Sequence, residues 1–222
     1  MAGTPLFMTE IEKDIGVNIT ENLKPSKHCA EAVRKASVVL SQITKSFHFR
    51  DRKTLVKLYI QYVRPHLEFS SPAWSPWYKS DIDLIENVQK RMVNMVSGLQ
   101  SKDYVGKLHE LGLESLQDRR TRLDLLQTFK IIKGIDNVEK EFWFRTYGES
   151  VARETRQSSY PDNIVPSNVP RTDLRRNFFS QRVVKLWNEL PDYVKESRNI
   201  SIFKLNYNKF KGASSGANTP DN

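Results

Sequence analysis

Between Asp51 and Phe69 apolar side chains take up most of the circumference of a helix wound at about 100° per residue. Leu55, Leu58, Tyr59, Tyr62, Val63, His66 and Phe69 share one face, and Val56, Ile60 and Leu67 widen it. Lys53, Lys57, Gln61, Arg64 and Glu68 are left as a narrow polar strip. A helix this apolar has to be packed on several sides and is expected at the centre of the fold. Asp51 is placed to cap its first turn, and Pro65 removes a backbone donor and should kink or tighten the helix there. The segment that follows, to Tyr78, sets Trp74 and Trp77 beside Pro72 and Pro76 and reads as an ordered turn that plugs the core.

Residues 1–24 read as extended. Ile15, Val17 and Ile19 alternate with Gly16 and Asn18, and Gly3 to Phe7 is a candidate partner strand. No other convincing strand follows, and a lone hairpin is marginal in water, so this piece is expected to join a sheet that lies elsewhere. The rest is helical in pattern. A helix should run from Ser26 to about Phe47 on Val33, Ala36, Leu40 and Ile43. Ser80 with Asp83 makes a capping box for a helix carrying Ile82, Ile85, Val88, Met92, Met95 and Val96, stopped at Gly98. Ser101 starts a shorter helix stopped at Gly112, and Ser115 with Asp118 opens another through Leu125, Phe129 and Ile132, stopped at Gly134. Residues 147–170 turn to Ser, Pro, Asn and Arg without periodicity and read as a flexible linker. Beyond them Phe179, Val183, Leu186, Trp187 and Leu190 form one stripe ended by Pro191, and Ser201 is placed to cap a last helix with Phe203 and Phe210.

The expected fold is therefore mainly α: a β-hairpin remnant over 1–24, a helical bundle over 25–146, the linker, a second small helical module over 171–211 and a disordered tail over 212–222.

Composition narrows the chemistry. Lys and Arg number 35 against 26 acidic residues, a net charge of +9 in 222 residues, which favours an anionic partner such as nucleic acid. A single cysteine, Cys29, excludes an internal disulfide and a cysteine-based zinc site, and points to a reducing compartment. No run approaches a membrane-spanning length and the N-terminus carries no apolar signal segment, so a nuclear or cytoplasmic location is expected.

Catalytic candidates are few. Neighbours such as His28 and Cys29 point about 100° apart on a helix and make no nucleophile–base pair; Cys29 reads as a small buried hydrophobe. His66, on the apolar face, reads as a hydrogen-bonded core histidine, and His48 and His109 have no partners at ligand spacing. Asp81 and Asp83 fall in the first turn of a helix, where negative charge suits the dipole. The basic residues say more. Arg119, Arg120 and Arg122 crowd the first turns of their helix, where the dipole disfavours cations. Internal pairing with Glu68, Glu86 or Glu114 weighs as heavily for them as phosphate contact. Arg182 stands on one row with Phe178 and Leu186, with Arg175, Arg176 and Lys185 near its edge, a mixture that suits a backbone with unstacked bases. Arg145, Arg153, Arg156 and Arg171 are candidates for a flexible arm on phosphates. Trp74, Trp77 and Trp187 read as core.

Several stretches together resemble the region after the catalytic palm in reverse transcriptases of LINE-type (non-LTR, jockey-like) retrotransposons. They are Leu58-Tyr59 with Val63-Arg64-Pro65-His66-Leu67-Glu68-Phe69, Ala73-Trp74-Ser75-Pro76, Asp81-Ile82, Ile85-Glu86 and Val88-Gln89-Lys90-Arg91. Glu12 to Val17 is similar to the last palm strand entering the thumb, and Phe178 to Val184 with Trp187-Asn188-Glu189-Leu190-Pro191 to the family's C-terminal block. The resemblance implies an RNA-directed DNA polymerase fragment whose thumb grips the RNA template–primer, an RNA or RNA–DNA hybrid, beside the rest of the polymerase. Arg64, Lys90, Arg91, Arg119, Arg120, Arg122, Arg175, Arg176 and Arg182 would be its phosphate contacts. Polymerases of this kind hold divalent metal ions on palm carboxylates. This sequence contains no Asp-Asp pair, so no catalytic residue, metal site or cofactor is expected in the chain, and no enzyme activity by itself. The rival expectation is a non-enzymatic helical interaction scaffold derived from a decayed or captured retroelement.

Overall fold

A computed structural model describes residues 9–47, 51–149, 161–166 and 170–216. It is mainly helical with an N-terminal two-stranded hairpin. The chain separates into two compact units, Met1–Thr121 and Arg122–Asn222. The boundary falls inside a helix, whereas the sequence reading ended the first bundle at 146.

In the first unit β1 (Ile11–Asp14) pairs antiparallel with β2 (Val17–Thr20), Asp14 opposite Val17. The two-residue turn between them has φ of 42° at Ile15 and 87° at Gly16, both left-handed, as a turn that matches the twist of the strands requires. Gly16 has a second reason to lack a side chain. A Cβ there would stand 3.1 Å from Cε1 of Phe69. The predicted partner strand, Gly3 to Phe7, lies outside the described residues; the hairpin closes without it. It is tied to α1 (Ser26–Ser46) through His28, whose Nδ1 accepts the Asn18 N–H at 3.1 Å and whose ring lies 4.6 Å from that of Trp74.

The central helix forms in three parts: α2 (Arg52–Leu58), a π-helical turn at Tyr59–Val63, and α3 (Arg64–Glu68). Asp51 caps it as expected, accepting the Thr54 N–H at 3.0 Å. Pro65 does not tighten it. A proline ring meets the carbonyl four residues back in an α-helix, and here the preceding turn widens, with the Arg64 N–H bonding to the Tyr59 carbonyl five back. The widening also decides which face is buried. Each four-residue step on a regular helix drifts by about 40°, but a wider turn rotates less per residue, and Leu55, Tyr59, Val63 and Leu67 stay buried in one line. Tyr62 (56% exposed), Phe69 (54%) and His66 are turned outward, which corrects the expectation that they face the core.

After α4 (Ser71–Trp74), α5 (Lys79–Asn94) packs along α1. It starts one residue before Ser80, so the Ser80 capping box is not used; Lys79 pairs with Asp83 instead. α6 (Tyr104–Leu111) is capped by Asp103, two residues past the predicted Ser101, and ends at Gly112 with φ of 61°. The next helix, α7 (Leu116–Ile132), begins on the predicted box, with the Asp118 N–H bonding to Ser115 Oγ at 3.0 Å and that hydroxyl bonding to Asp118 Oδ2 at 2.7 Å. The core of this unit runs from Cys29 and Ala36 through Tyr59, Leu67, Trp74, Ile85 and Met92 to Leu116.

The second unit is built on the remainder of α7, with α8 (Lys140–Trp143), a 3-10 turn at Tyr147–Glu149, α9 (Asp173–Asn177), α10 (Phe179–Asn188), α11 (Asp192–Lys195) and α12 (Ile200–Gly216). Its core stacks Phe129 on Phe203 at 4.5 Å, with Trp187, Val183 and Tyr207 around them. Two expectations change here. The described part of 147–170 is held rather than loose: Ile164 is 1% exposed and pairs with Thr146, Asn188 bonds both its N–H and its carbonyl, and Trp187 Nε1 donates to the Asp162 carbonyl at 2.8 Å. One apolar residue and two side-chain clamps suffice, and a periodicity reading cannot register them. The last helix is capped by Asn199, not Ser201, and continues through Gly216, so 212–216 are helical where a disordered tail was expected. The remainder of that tail lies outside the described residues.

Candidate nucleic-acid interface

Several of the arginines proposed from the sequence are spent inside their own unit. Arg119 grips both carboxylate oxygens of Glu68, Nη2 lying 2.9 Å from Oε2, and its Nη1 is 3.8 Å from Glu114. Arg64 shares the same carboxylate at 3.7 Å. Burial by itself would lower the Arg119 guanidinium, but its bonds to Glu68 and the nearby negative charge raise it, so it stays a cation at every accessible pH. Arg120 is 3% exposed. In the second unit Arg182 makes two parallel 2.8 Å bonds to Asp124, a third of 2.9 Å to the Asn177 carbonyl, and lies over the Phe179 ring. Arg122 donates to Asn208 at 3.3 Å. Of the dipole-opposed arginines of α7, Arg119 is thus explained by packing: paired guanidiniums are the form in which cations are buried.

A different set of cations is left with its charge uncompensated. On α5, Lys90 holds its ammonium 5.4 Å from the centroid of Tyr104, and Arg91 donates to Ser37 Oγ at 2.6 Å. On α6, Lys107 donates to Asn94 Oδ1 at 2.6 Å. Each partner is neutral, so each cation is aimed without being cancelled. Lys90 and Asn94 stand one turn apart on α5, as Tyr104 and Lys107 do on α6, so the two contacts follow one another along the seam between these helices. Arg91 extends the band toward α1. Lys107 was missed in the sequence; its spacing of three from Tyr104 was the available signal.

Beneath this band lies a closed polar network. Tyr59 donates to Gln89 Oε1 at 2.8 Å, and the Gln89 amide donates to the Tyr104 oxygen at 3.0 Å and to the Glu114 carbonyl at 2.9 Å. Tyr104 in turn donates to Glu86, whose two oxygens each lie 3.1 Å from the Leu116 N–H at the start of α7. A carboxylate there meets the positive end of the helix dipole. Desolvation and neighbouring carboxylates push both tyrosine hydroxyls well above their ordinary value, so they remain donors. The network therefore fixes the Tyr104 ring that carries Lys90 and joins α5, α6 and α7 in one register.

The remaining candidates are exposed. Arg175 lies over the Phe178 ring at 5.6 Å, and Arg176 pairs with Asp173 at 2.7 Å. Arg145 and Arg171 are exposed; Arg153, Arg156 and His48 lie outside the described residues.

The residues considered for catalysis are accounted for structurally. Burial, with Asp81 adding, pushes the Cys29 thiol up to about 12, so it stays protonated and inert. Asp81, in the first turn of α5, accepts from Ser26 Oγ at 2.6 Å. Trp74 and Trp187 are buried as expected and Trp77 half-buried. Among the described residues no three His, Cys, Asp or Glu side chains come together to hold a metal ion, and no helix is long and apolar enough to cross a membrane. Comparison with models of known families, with curated proteins and with solved structures gives no match.

Proposed function

We propose that this chain is the C-terminal part of a LINE-like RNA-directed DNA polymerase, acting in the nucleus or cytoplasm, and that its first unit binds the RNA template–primer through the band of Lys90, Arg91 and Lys107. The sequence resemblance supplies the polymerase. The observation that carries the binding is that all three cations are positioned by neutral partners. A phosphate brought to any one of them meets a positive charge held by a neutral partner and displaces no carboxylate, whereas at Arg119 or Arg182 it would have to break a buried pair. The divalent metals and the chemistry would belong to palm carboxylates outside this chain.

The test is fluorescence anisotropy of an RNA–DNA primer–template titrated with the full chain across a range of salt. Affinity should fall steeply with log salt. Changing Lys90, Arg91 and Lys107 together to Ala should reduce that slope by about 2 to 3, since each neutralised phosphate adds about 0.9. Flat or absent binding by a folded chain would overturn the reading in favour of the scaffold alternative, on which the internal pairing of Arg119 and Arg182 already bears.

A further inference from the structure

In the second unit two exposed aromatic rings are assembled on a third at the edge of the core. Phe142 on α8 is 79% exposed and Phe178, the residue before α10, is 46% exposed. Both rest on Trp143. Its indole lies parallel to the Phe178 ring, 3° between planes and 6.4 Å between centroids, and meets Phe142 edge-on at 5.5 Å. Trp143 is itself anchored edge-on at 5.9 Å to Phe179, which is 6% exposed. The outer rings are thus held in place by the core and yet presented to solvent. Leaving a phenyl group in water forgoes the burial that would stabilise the fold, so the exposure of Phe142 has no account in stability.

The charges around it select an occupant. Arg171, Arg175 and Arg176 are exposed within six positions, and the Arg175 guanidinium lies over the Phe178 face at 5.6 Å. Arg176 and Asp173 form a pair whose side chains are 62% and 73% exposed, which water screens heavily. The exposed carboxylates Glu139 and Glu141 belong to the α8 side, so an anionic backbone would run along α9 while flat groups reach the rings. Fixed aromatic faces beside arginines match unpaired nucleobases joined by phosphates. They do not match a duplex, whose base faces are covered by stacking.

We propose that Phe142 and Phe178, backed by Trp143 and flanked by Arg175, form a stacking platform for unpaired bases of a single-stranded nucleic acid. This rests on the reading of the chain as nucleic-acid-binding and adds a second, chemically different contact in the second unit.

The experiment uses the full chain and a labelled unstructured pyrimidine RNA of about ten nucleotides, within the range of single-strand sites. Phe142→Ala should weaken binding about 5-fold to 100-fold, the equivalent of one stacked base. Phe142→Tyr should retain it and Phe142→Leu should not, because the interaction needs a ring face and not apolar bulk. The thermal unfolding of all three should match the parent, Phe142 being exposed. Equal affinity of Phe142→Leu and the parent would overturn the platform. So would unchanged RNA binding with a loss of self-association in sedimentation, which would make the patch an interface between copies. The primer–template duplex separates this from the grip on the first unit. Single-strand binding that needs Phe142, without any duplex binding, retires the grip and keeps the platform; duplex binding lost with Lys90, Arg91 and Lys107, with Phe142→Ala matching the parent on single strands, does the reverse.

Discussion

Arg119 and Glu68 meet across 51 positions of sequence in a two-pronged pair, each side chain 14% exposed, and this pair locks the end of the central helix to the start of α7. Removing Arg119 leaves Glu68 to Arg64 at 3.7 Å, and removing Glu68 leaves Arg119 to Glu114 at 3.8 Å, so either change loses the short charged hydrogen bonds of a partly buried pair, at a cost of about 1.5 to 3 kcal/mol. Arg119→Ala and Glu68→Ala should therefore each lower the urea midpoint of the first unit strongly. At low temperature, where the variants are still folded, the salt slope of primer–template binding should be that of the parent. A slope reduced by Arg119→Ala in folded protein would mean that this guanidinium reaches phosphate after all.

Glu86 closes the polar network by accepting from both Tyr104 and the Leu116 N–H. Glu86→Ala leaves those donors buried without an acceptor and should cost about 1 to 3 kcal/mol. Because the Tyr104 hydroxyl loses one of its two anchors and keeps only the Gln89 amide, Lys90 should be held less firmly, and duplex affinity should fall by more than the stability change accounts for. Equal affinity in folded Glu86→Ala protein would show that the network serves stability alone.

The hairpin turn carries a strained residue. Ile15 adopts a left-handed conformation with φ of 42° while 85% exposed, so its β-branched side chain conflicts with the backbone and recovers little burial. Ile15→Asn, which makes the preferred Asn-Gly turn, should stabilise the protein by about 1 kcal/mol. Gly16→Ala should destabilise it by at least about 1 kcal/mol, combining φ of 87° with the close approach to Phe69. Thermal unfolding of both variants would show the opposite signs directly.

Docking of the hairpin should depend on pH. Burial, followed by the charges of Lys35 and Lys13, holds the His28 imidazole below its ordinary 6.5, with Glu31 pulling the other way. A folded-state value below the unfolded one means that the unfolded chain binds the proton more readily. Stability is then complete above pH 6.5 and is lost as pH falls from there toward the folded value. Protonation also takes the lone pair that accepts the Asn18 N–H. The Asn18 amide, corrected for intrinsic exchange, should lose hydrogen-exchange protection below about pH 6.5, and His28→Phe should remove that dependence while keeping an aromatic ring against Trp74. Constant protection down to pH 5 would contradict this.

Helix starts and stops were legible because they are local. Asp51, the Ser115–Asp118 box, Gly112 and Gly134 act within one turn of chain, and each was found where its chemistry placed it. The failures have a common origin. Ser80 and Ser201 are sound caps that lost to neighbours one or two residues away, since cap energies of about 1 kcal/mol are decided by the packing of the whole helix. Tyr62, His66 and Phe69 were read as core because regular winding was assumed, and the π-turn before Pro65 broke that assumption. Of the cations proposed to bind nucleic acid, Lys90 and Arg91 were candidates in the sequence, but nothing in it separated those left with neutral partners from the ion-paired Arg119 and Arg182.

The helical class, the hairpin, the approximate span of most helices and the excess of positive charge all follow from local propensity, periodicity and composition. Which cations are ion-paired and which keep neutral partners emerges from long-range packing. Arg119 finds Glu68 and Arg182 finds Asp124 across more than fifty residues, whereas Lys90, Arg91 and Lys107 find a ring, a hydroxyl and an amide. The same holds for Phe142, whose exposure reflects what Trp143 and Phe179 leave uncovered. The reason is physical: the effective charge of a side chain, and whether a ring is core or surface, depend on neighbours in space, and those are set by long-range packing.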